Sequence, residues 1–263
     1  MKGLICYFSA TGNTKLVVEQ LVRRLGRPFD LCDMAKQPVP DLSGYDIVGF
    51  ASPVDRMAEP PIVREFLRCI PPSSGKPAFL IATYGAIAGR ILDNLSAAAR
   101  VRGFRVVESH ALHCPESYPP LVALGLDGAG QPDENNLDGF DEFSDRLKAI
   151  LADISAGHEI EEYIPHQRLR NKLAPKLAND FPKQSIGQKL VDEKTCTKCG
   201  ECVQFCPYKV IRLDIWPVFD EIRCRSCWSC YNRCPEKAIY TRKLRGKGHY
   251  PGPSDDFKRK LAR

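Results

Sequence analysis

Leu4-Ile5-Cys6-Tyr7-Phe8-Ser9-Ala10-Thr11-Gly12-Asn13-Thr14 is an apolar run that ends in small and hydroxyl-bearing residues. Behind it, Thr14 to Leu25 carries Val17, Val18, Leu21, Val22 and Leu25 on one side of a helical pattern. A short, continuously apolar run reads as a strand buried on both faces. Ser9 to Thr14 therefore lies between the carboxyl end of a strand and the start of a helix. Free backbone N–H groups and the helix dipole favour an anion there. The Ser and Thr hydroxyls add donors, and Gly12 permits the tight turn. The loop holds no Lys or Arg. That fits a phosphate held by hydrogen bonds and excludes the lysine-dependent P-loop. The alternative reading is a plain Ser/Thr-capped helix start.

Outward from this loop the same alternation continues. Further apolar runs cover Phe29 to Cys32, Tyr45 to Ala51, Ala78 to Thr83 and Phe104 to Leu112. Helical patterns lie over Ile62 to Ile70, Arg90 to Arg102 and Leu137 to Ile154. Strand–helix alternation implies an α/β unit with a parallel sheet and right-handed crossovers. Asp33 to Gly44 contains Pro38 and Pro40, so that crossover is expected to lack a full helix. Residues 115–136, rich in Pro, Gly, Asp and Asn, read as a long loop.

The chain has 263 residues, 43% of them hydrophobic and 27% charged, which is the balance of a globular chain and not of a disordered one. No apolar run approaches the ~18 residues of a membrane helix, and the N-terminal run is too short for a signal peptide. An intracellular, cytoplasmic protein is expected. The formal charge of +6 lies wholly in residues 242–263, which hold eight basic residues against two acidic; the rest is neutral. A basic tail is no basic face, so nucleic acid is not an expected partner. It reads as a solvated arm, or as one that offsets a negatively charged cofactor or docks an acidic redox protein.

Twelve cysteines are the outlier. Cys6, Cys32, Cys69 and Cys114 are scattered and read as small core residues. The other eight form a repeat. Cys196-Thr-Lys-Cys199-Gly-Glu-Cys202-Val-Gln-Phe-Cys206-Pro207 recurs 28 residues on as Cys224-Arg-Ser-Cys227-Trp-Ser-Cys230-Tyr-Asn-Arg-Cys234-Pro235. Three cysteines on one tight loop can meet three corners of a cubane. The fourth, followed by proline, reaches the other cluster. Cys196, Cys199, Cys202 and Cys234 are thus expected on one [4Fe-4S] cluster, and Cys224, Cys227, Cys230 and Cys206 on a second. Trp228 is placed to shield the second from water. Structural zinc is the alternative, although zinc knuckles need no third close cysteine. His110-x-x-His113-Cys114 is not read as a metal site, because no fourth ligand is near.

Over residues 191–241 the chain resembles bacterial-type two-cluster ferredoxins, with all eight ligand positions filled. The loop Ser9 to Thr14 is similar to the FMN phosphate loop of flavodoxins, and the five-strand alternation to their fold. The whole chain resembles a flavodoxin–ferredoxin fusion family. The resemblance implies a flavodoxin-like, doubly wound five-stranded parallel sheet over 1–157, in the order 2-1-3-4-5, with FMN at the carboxyl ends of the strands. A connector over 158–190, a small α+β ferredoxin-like domain over 191–241 and the basic tail would follow. It implies FMN contacts from Ser9, Thr11, Gly12, Asn13 and Thr14, from Ser52, Pro53 and Val54 after the third strand, and from Tyr84 and Gly85 after the fourth. The third-strand loop has no Trp or Tyr to stack on the ring, which leaves Tyr84 and Tyr118 as the available aromatics. Arg56 and Arg90, partly offset by Asp55 and Glu59, would flank the flavin and raise its potential.

The function so implied is electron transfer between FMN and two [4Fe-4S] clusters, relaying electrons between redox partners such as a ferredoxin-like donor or an acceptor oxidoreductase. Two alternatives stay open: an FMN-dependent reductase of a quinone, nitro compound or oxidised cofactor, and a zinc-stabilised, non-redox binding protein. No residue is singled out as catalytic, and the sequence does not reveal an oligomeric state.

Overall fold

Gly3–Tyr7 (β1) and Ile47–Pro53 (β3) have almost no residue facing water, because their apolar side chains are covered on both sides. In a computed structural model of the chain, describing residues 1–165, 184 and 186–263, these strands form the centre of a parallel sheet. Phe29–Asp33 (β2) flanks β1, while Pro77–Tyr84 (β4) and Arg105–His113 (β5) follow β3, giving the order β2-β1-β3-β4-β5. As expected, no helix interrupts the Pro-containing connection from β2 to β3.

Strand alternation sends Ile5 and Tyr7 to one face and Leu4, Cys6 and Phe8 to the other. Asn13–Leu25 (α1) and Glu134–Ala156 (α5) cover the first face, through Val17, Leu21, Phe140 and Phe143. Pro61–Cys69 (α2) and Ile91–Val101 (α3) cover the second, through Val63, Phe66, Leu67 and Leu95. Within the expected long loop, Pro119–Ala123 (α4) forms a short helix. Packing on this unit continues past residue 157: Ile160 is buried and the Tyr163 N–H donates to the Val106 carbonyl at 2.7 Å. Most of the expected connector, 166–183 and 185, lies outside the described residues.

The cysteine-rich part is built from two similar halves. Leu190–Val191 (β6) pairs antiparallel with Ile239–Tyr240 (β9), and Ile211–Leu213 (β7) with Pro217–Phe219 (β8). Short helices Glu201–Gln204 (α6) and Ser229–Arg233 (α7) follow the two cysteine loops. The core between them holds Val210, Ile211, Trp228, Tyr231 and Ile239, and Tyr118 and Ala123 of the first unit pack against it.

The basic C-terminal segment is not a free arm. It ends in Asp255–Leu261 (α8), whose Phe257 and Leu261 are buried among Val17, Leu21 and Phe140. Arg263 pairs with Glu134, Asp138 and Asp141 at 2.5, 2.6 and 3.1 Å. The solvated arm expected from charge alone is corrected here: Phe257 and Leu261 share one helical face, and burying it outweighs the solvation of the charges around it. Among the described residues no helix is long and apolar enough to cross a membrane.

Candidate functional site

The carboxyl ends of β1, β3, β4 and β5 open into a cleft of about 270 Å³, beside the point where the strand order reverses. Ser9, Thr11, Asn13 and Thr14 line it, with Pro53, Val54, Tyr84, Gly85 and Tyr118. Two expected contacts do not line it. Ser52 is fully buried, and its hydroxyl donates to the Pro53 carbonyl at 2.9 Å. Gly12 shapes the loop from behind, with φ +110; a Cβ there would stand 2.8 Å from Pro253.

Helix α1 starts at this loop without a side-chain cap and with no acidic residue in its first turn. Ser9 Oγ accepts the Gly12 N–H at 3.1 Å, and no side chain caps the N–H groups that follow, which is where an anion would sit. Thr14 and Thr83 share a hydroxyl hydrogen bond of 2.8 Å at the floor. The Asn13 side chain is already committed: Nδ2 donates to the Pro115 carbonyl at 2.9 Å, and Oδ1 accepts from the Tyr250 hydroxyl at 2.5 Å. These two bonds brace the loop at the cleft wall that Asn13 helps to line.

On the opposite wall, Arg56 and Asp55 form an ion pair at 2.5 Å. Burial pushes the Asp55 carboxyl up to about 6, against the pull of Arg56 and Arg64. Arg90 is exposed and does not line the cleft, and Glu59 is taken up by Arg64 at 2.7 Å and Asn94 at 2.8 Å. Only Arg56 of the two expected cations reaches the site. Tyr84 stacks on His113 with centroids 4.9 Å apart. Tyr118 meets the edge of Trp228 at 6.3 Å.

Two smaller cavities lie in the cysteine-rich part. Cys196, Cys199, Cys202 and Cys234 line one; Cys206, Cys224, Cys227 and Cys230 line the other. These are the two sets drawn from the repeat. Each set offers four thiols, as many as a [4Fe-4S] cluster takes. Among the described residues no three His, Cys, Asp or Glu gather tightly enough to hold a single metal ion; the cysteines ring the cavities instead. The other cysteines play no part in them. Cys6, Cys32 and Cys114 are buried in the first unit, while Cys69, at the end of α2, is exposed and not the core residue expected.

The cleft and the second cavity have a common wall: Tyr208, Cys227 and Trp228 line both. Sequence reasoning placed Trp228 beside a cluster but did not bring it, or Tyr208, to the flavin side. Helix α7 pins the wall in place. Ser229 Oγ and Arg233 Nε donate to the Ala10 carbonyl at 3.0 and 3.3 Å, and Asn232 Nδ2 to the Ser117 carbonyl at 2.9 Å. Arg56 reaches across to the Arg225 carbonyl at 3.2 Å. Buried Lys189 donates to Cys224 Sγ at 3.2 Å and lies 4.6 Å from the Trp228 ring centroid. Burial opposes its charge, but Cys230, Cys224 and Glu221 outweigh that and raise its pKa.

Residues 4–90 match the family model of the flavodoxin domain, and residues 189–212 that of the 4Fe-4S binding domain. The chain joins a flavodoxin domain to a 4Fe-4S binding domain. The first has the flavodoxin-like fold and the second is a small ferredoxin-like region. Solved structures similar to the chain include a flavodoxin from the domain Archaea, at 15% identity over 58% of this chain and 99% of that one, TM-score 0.42. Two-electron reduced Megasphaera elsdenii flavodoxin is another, at 17% identity over 55% and 98%, TM-score 0.42. A third is rubredoxin oxygen:oxidoreductase from Desulfovibrio gigas, at 15% identity over 59% of this chain and 37% of that one, TM-score 0.45. No curated protein matches the chain. The flavodoxin domain supports FMN and the 4Fe-4S domain an iron–sulfur cluster, and together they support flavin and iron–sulfur electron transfer with redox partners.

Proposed function

We propose that this chain relays electrons between redox proteins through FMN in the cleft and two [4Fe-4S] clusters in the two cysteine-lined cavities. Bound FMN exchanges electrons singly or in pairs, whereas each cluster exchanges one at a time. The observation that carries the reading is the common wall of Tyr208, Cys227 and Trp228, which leaves one layer of side chains between the flavin cleft and the nearer cysteine set. The chain's own residues divide the work. The start of α1, with the hydroxyls of Ser9, Thr11 and Thr14, would hold the FMN phosphate, and Pro53, Val54, Tyr84, Gly85 and Tyr118 would enclose the ring. Trp228 excludes water from the common wall. Cys199, which is exposed, puts the farther cysteine set at the surface, where a ferredoxin-like donor or an acceptor oxidoreductase could reach it.

The same proposal includes a cytoplasmic setting and four segments: the flavodoxin domain at 1–157, the connector at 158–190, the cluster domain at 191–241 and the C-terminal segment at 242–263. Anaerobic purification followed by chemical analysis tests it. About eight iron, eight sulfide and one FMN per chain are expected. About four iron would reduce the relay to one cluster, and colourless protein holding zinc would end it.

A further inference from the structure

The two cysteine-lined cavities are copies of each other, offset by 28 residues. Their backbones repeat the left-handed conformation at Lys198 and Ser226, at Gly200 and Trp228, and at Lys209 and Lys237. The Val210 and Ala238 N–H groups donate to Cys206 and Cys234 Sγ at 3.5 and 3.3 Å. Against so close a repeat the departures stand out. Lys189 lines the cavity beside the flavin cleft; its counterpart in the outer cavity is Pro217. Tyr208 is replaced by Glu236, and Trp228 by Gly200.

These departures act in opposite directions. Trp228 and Tyr208 keep water from the inner centre, and poor solvation disfavours the extra negative charge that reduction brings. A buried cation within hydrogen-bond distance of a ligand sulfur favours it. Lys189 is such a cation, and Glu221, whose Oε1 accepts the Lys189 backbone N–H at 3.1 Å and whose charge acts on the ammonium through space, offsets part of it. The outer centre has no charge at the matching position; Lys198 lines its cavity together with Glu201 and Glu236, so carboxylates outnumber the cation there.

We propose that Lys189 sets the two centres apart: its ammonium, held on Cys224 Sγ beside the flavin cleft, raises the reduction potential of the inner centre so that an electron from a reduced redox protein is drawn inward, toward the flavin. The proposal rests on the two-cluster reading above. It assigns to one residue the direction of flow in an otherwise repeated pair.

The test is a redox titration of the full-length, anaerobically purified protein, followed by electron paramagnetic resonance, after an iron count. Cys199→Ser identifies the signal of the outer centre. Lys189→Gln is expected to keep about eight iron, shift the inner midpoint downward, leave the outer one in place and slow flavin reduction. Lys189→Arg, which keeps the charge, should stay near wild type. Glu221→Gln should shift the inner midpoint upward, a sign opposite to that of Lys189→Gln and readable even if the latter fails to fold. Unchanged midpoints in Glu221→Gln, or in Lys189→Gln with eight iron bound, would overturn the role of Lys189 alone. Four iron per wild-type chain would overturn the two-cluster reading and this inference with it.

Discussion

His110 and His113 sit three residues apart on β5 and serve different neighbours. His110 lies against Phe140 and Phe143, with centroids 5.8 and 5.2 Å away, while His113 stacks on Tyr84. Burial, helped by Arg146, lowers the pKa of His110 to about 4. Its folded pKa is thus below the unfolded value of about 6.5, so its contribution to stability is present above pH 6.5 and is lost as the pH falls toward 4. Between pH 7 and pH 5 we expect the wild type to lose about 2 kcal/mol that His110→Phe does not lose. Urea unfolding at the two pH values measures the difference; equal losses would show that His110 titrates normally. Residue-level readings from sequence divide along the same line. Ser9, Thr11 and Thr14 reach the cleft because a strand–loop–helix motif fixes them locally. Asn13 lines it too, but its bond to Tyr250, 237 residues away, is encoded by no local pattern.

At the scale of elements, β1, β3 and β4 were legible as apolar runs because strands covered on both faces carry apolar side chains at nearly every position, while the edge strands β2 and β5 showed through shorter apolar stretches interrupted by Asp30, Glu108 and His110. Pro119–Ala123 was hidden by Pro119-Pro120, which reads as loop although proline is well suited to a first helical turn. Helix α8 was hidden by its charges. Ser254 caps it, its Oγ accepting the Phe257 N–H at 3.1 Å, and Phe257 and Leu261, four residues apart, both enter the core. This predicts that Phe257→Ala costs about 3 kcal/mol in chemical unfolding of the flavodoxin domain. It should also weaken flavin retention on gel filtration, because Pro253, four residues upstream, backs Gly12 of the phosphate loop. A cost below about 0.5 kcal/mol, the level of an ordinary surface change, would mean that α8 is a detachable arm after all.

For the whole molecule, the cysteine repeat is readable from the sequence as two ligand sets, since spacing alone dictates which sulfurs share a loop. How the two domains meet is not. The contacts that join them, from Ser229 and Arg233 to Ala10, from Asn232 to Ser117 and from Arg56 to Arg225, bring together residues more than a hundred positions apart and carry no motif. Yet these contacts put Trp228 and Cys227 against the flavin cleft, and the account depends on them. The most direct test is pulsed one-electron reduction of the anaerobic holoprotein at several concentrations, with flavin and cluster absorbance followed together. We predict that the electron redistributes among the centres at a rate independent of protein concentration. Centres that stay oxidised although able to accept, or a rate proportional to concentration, would contradict an internal relay.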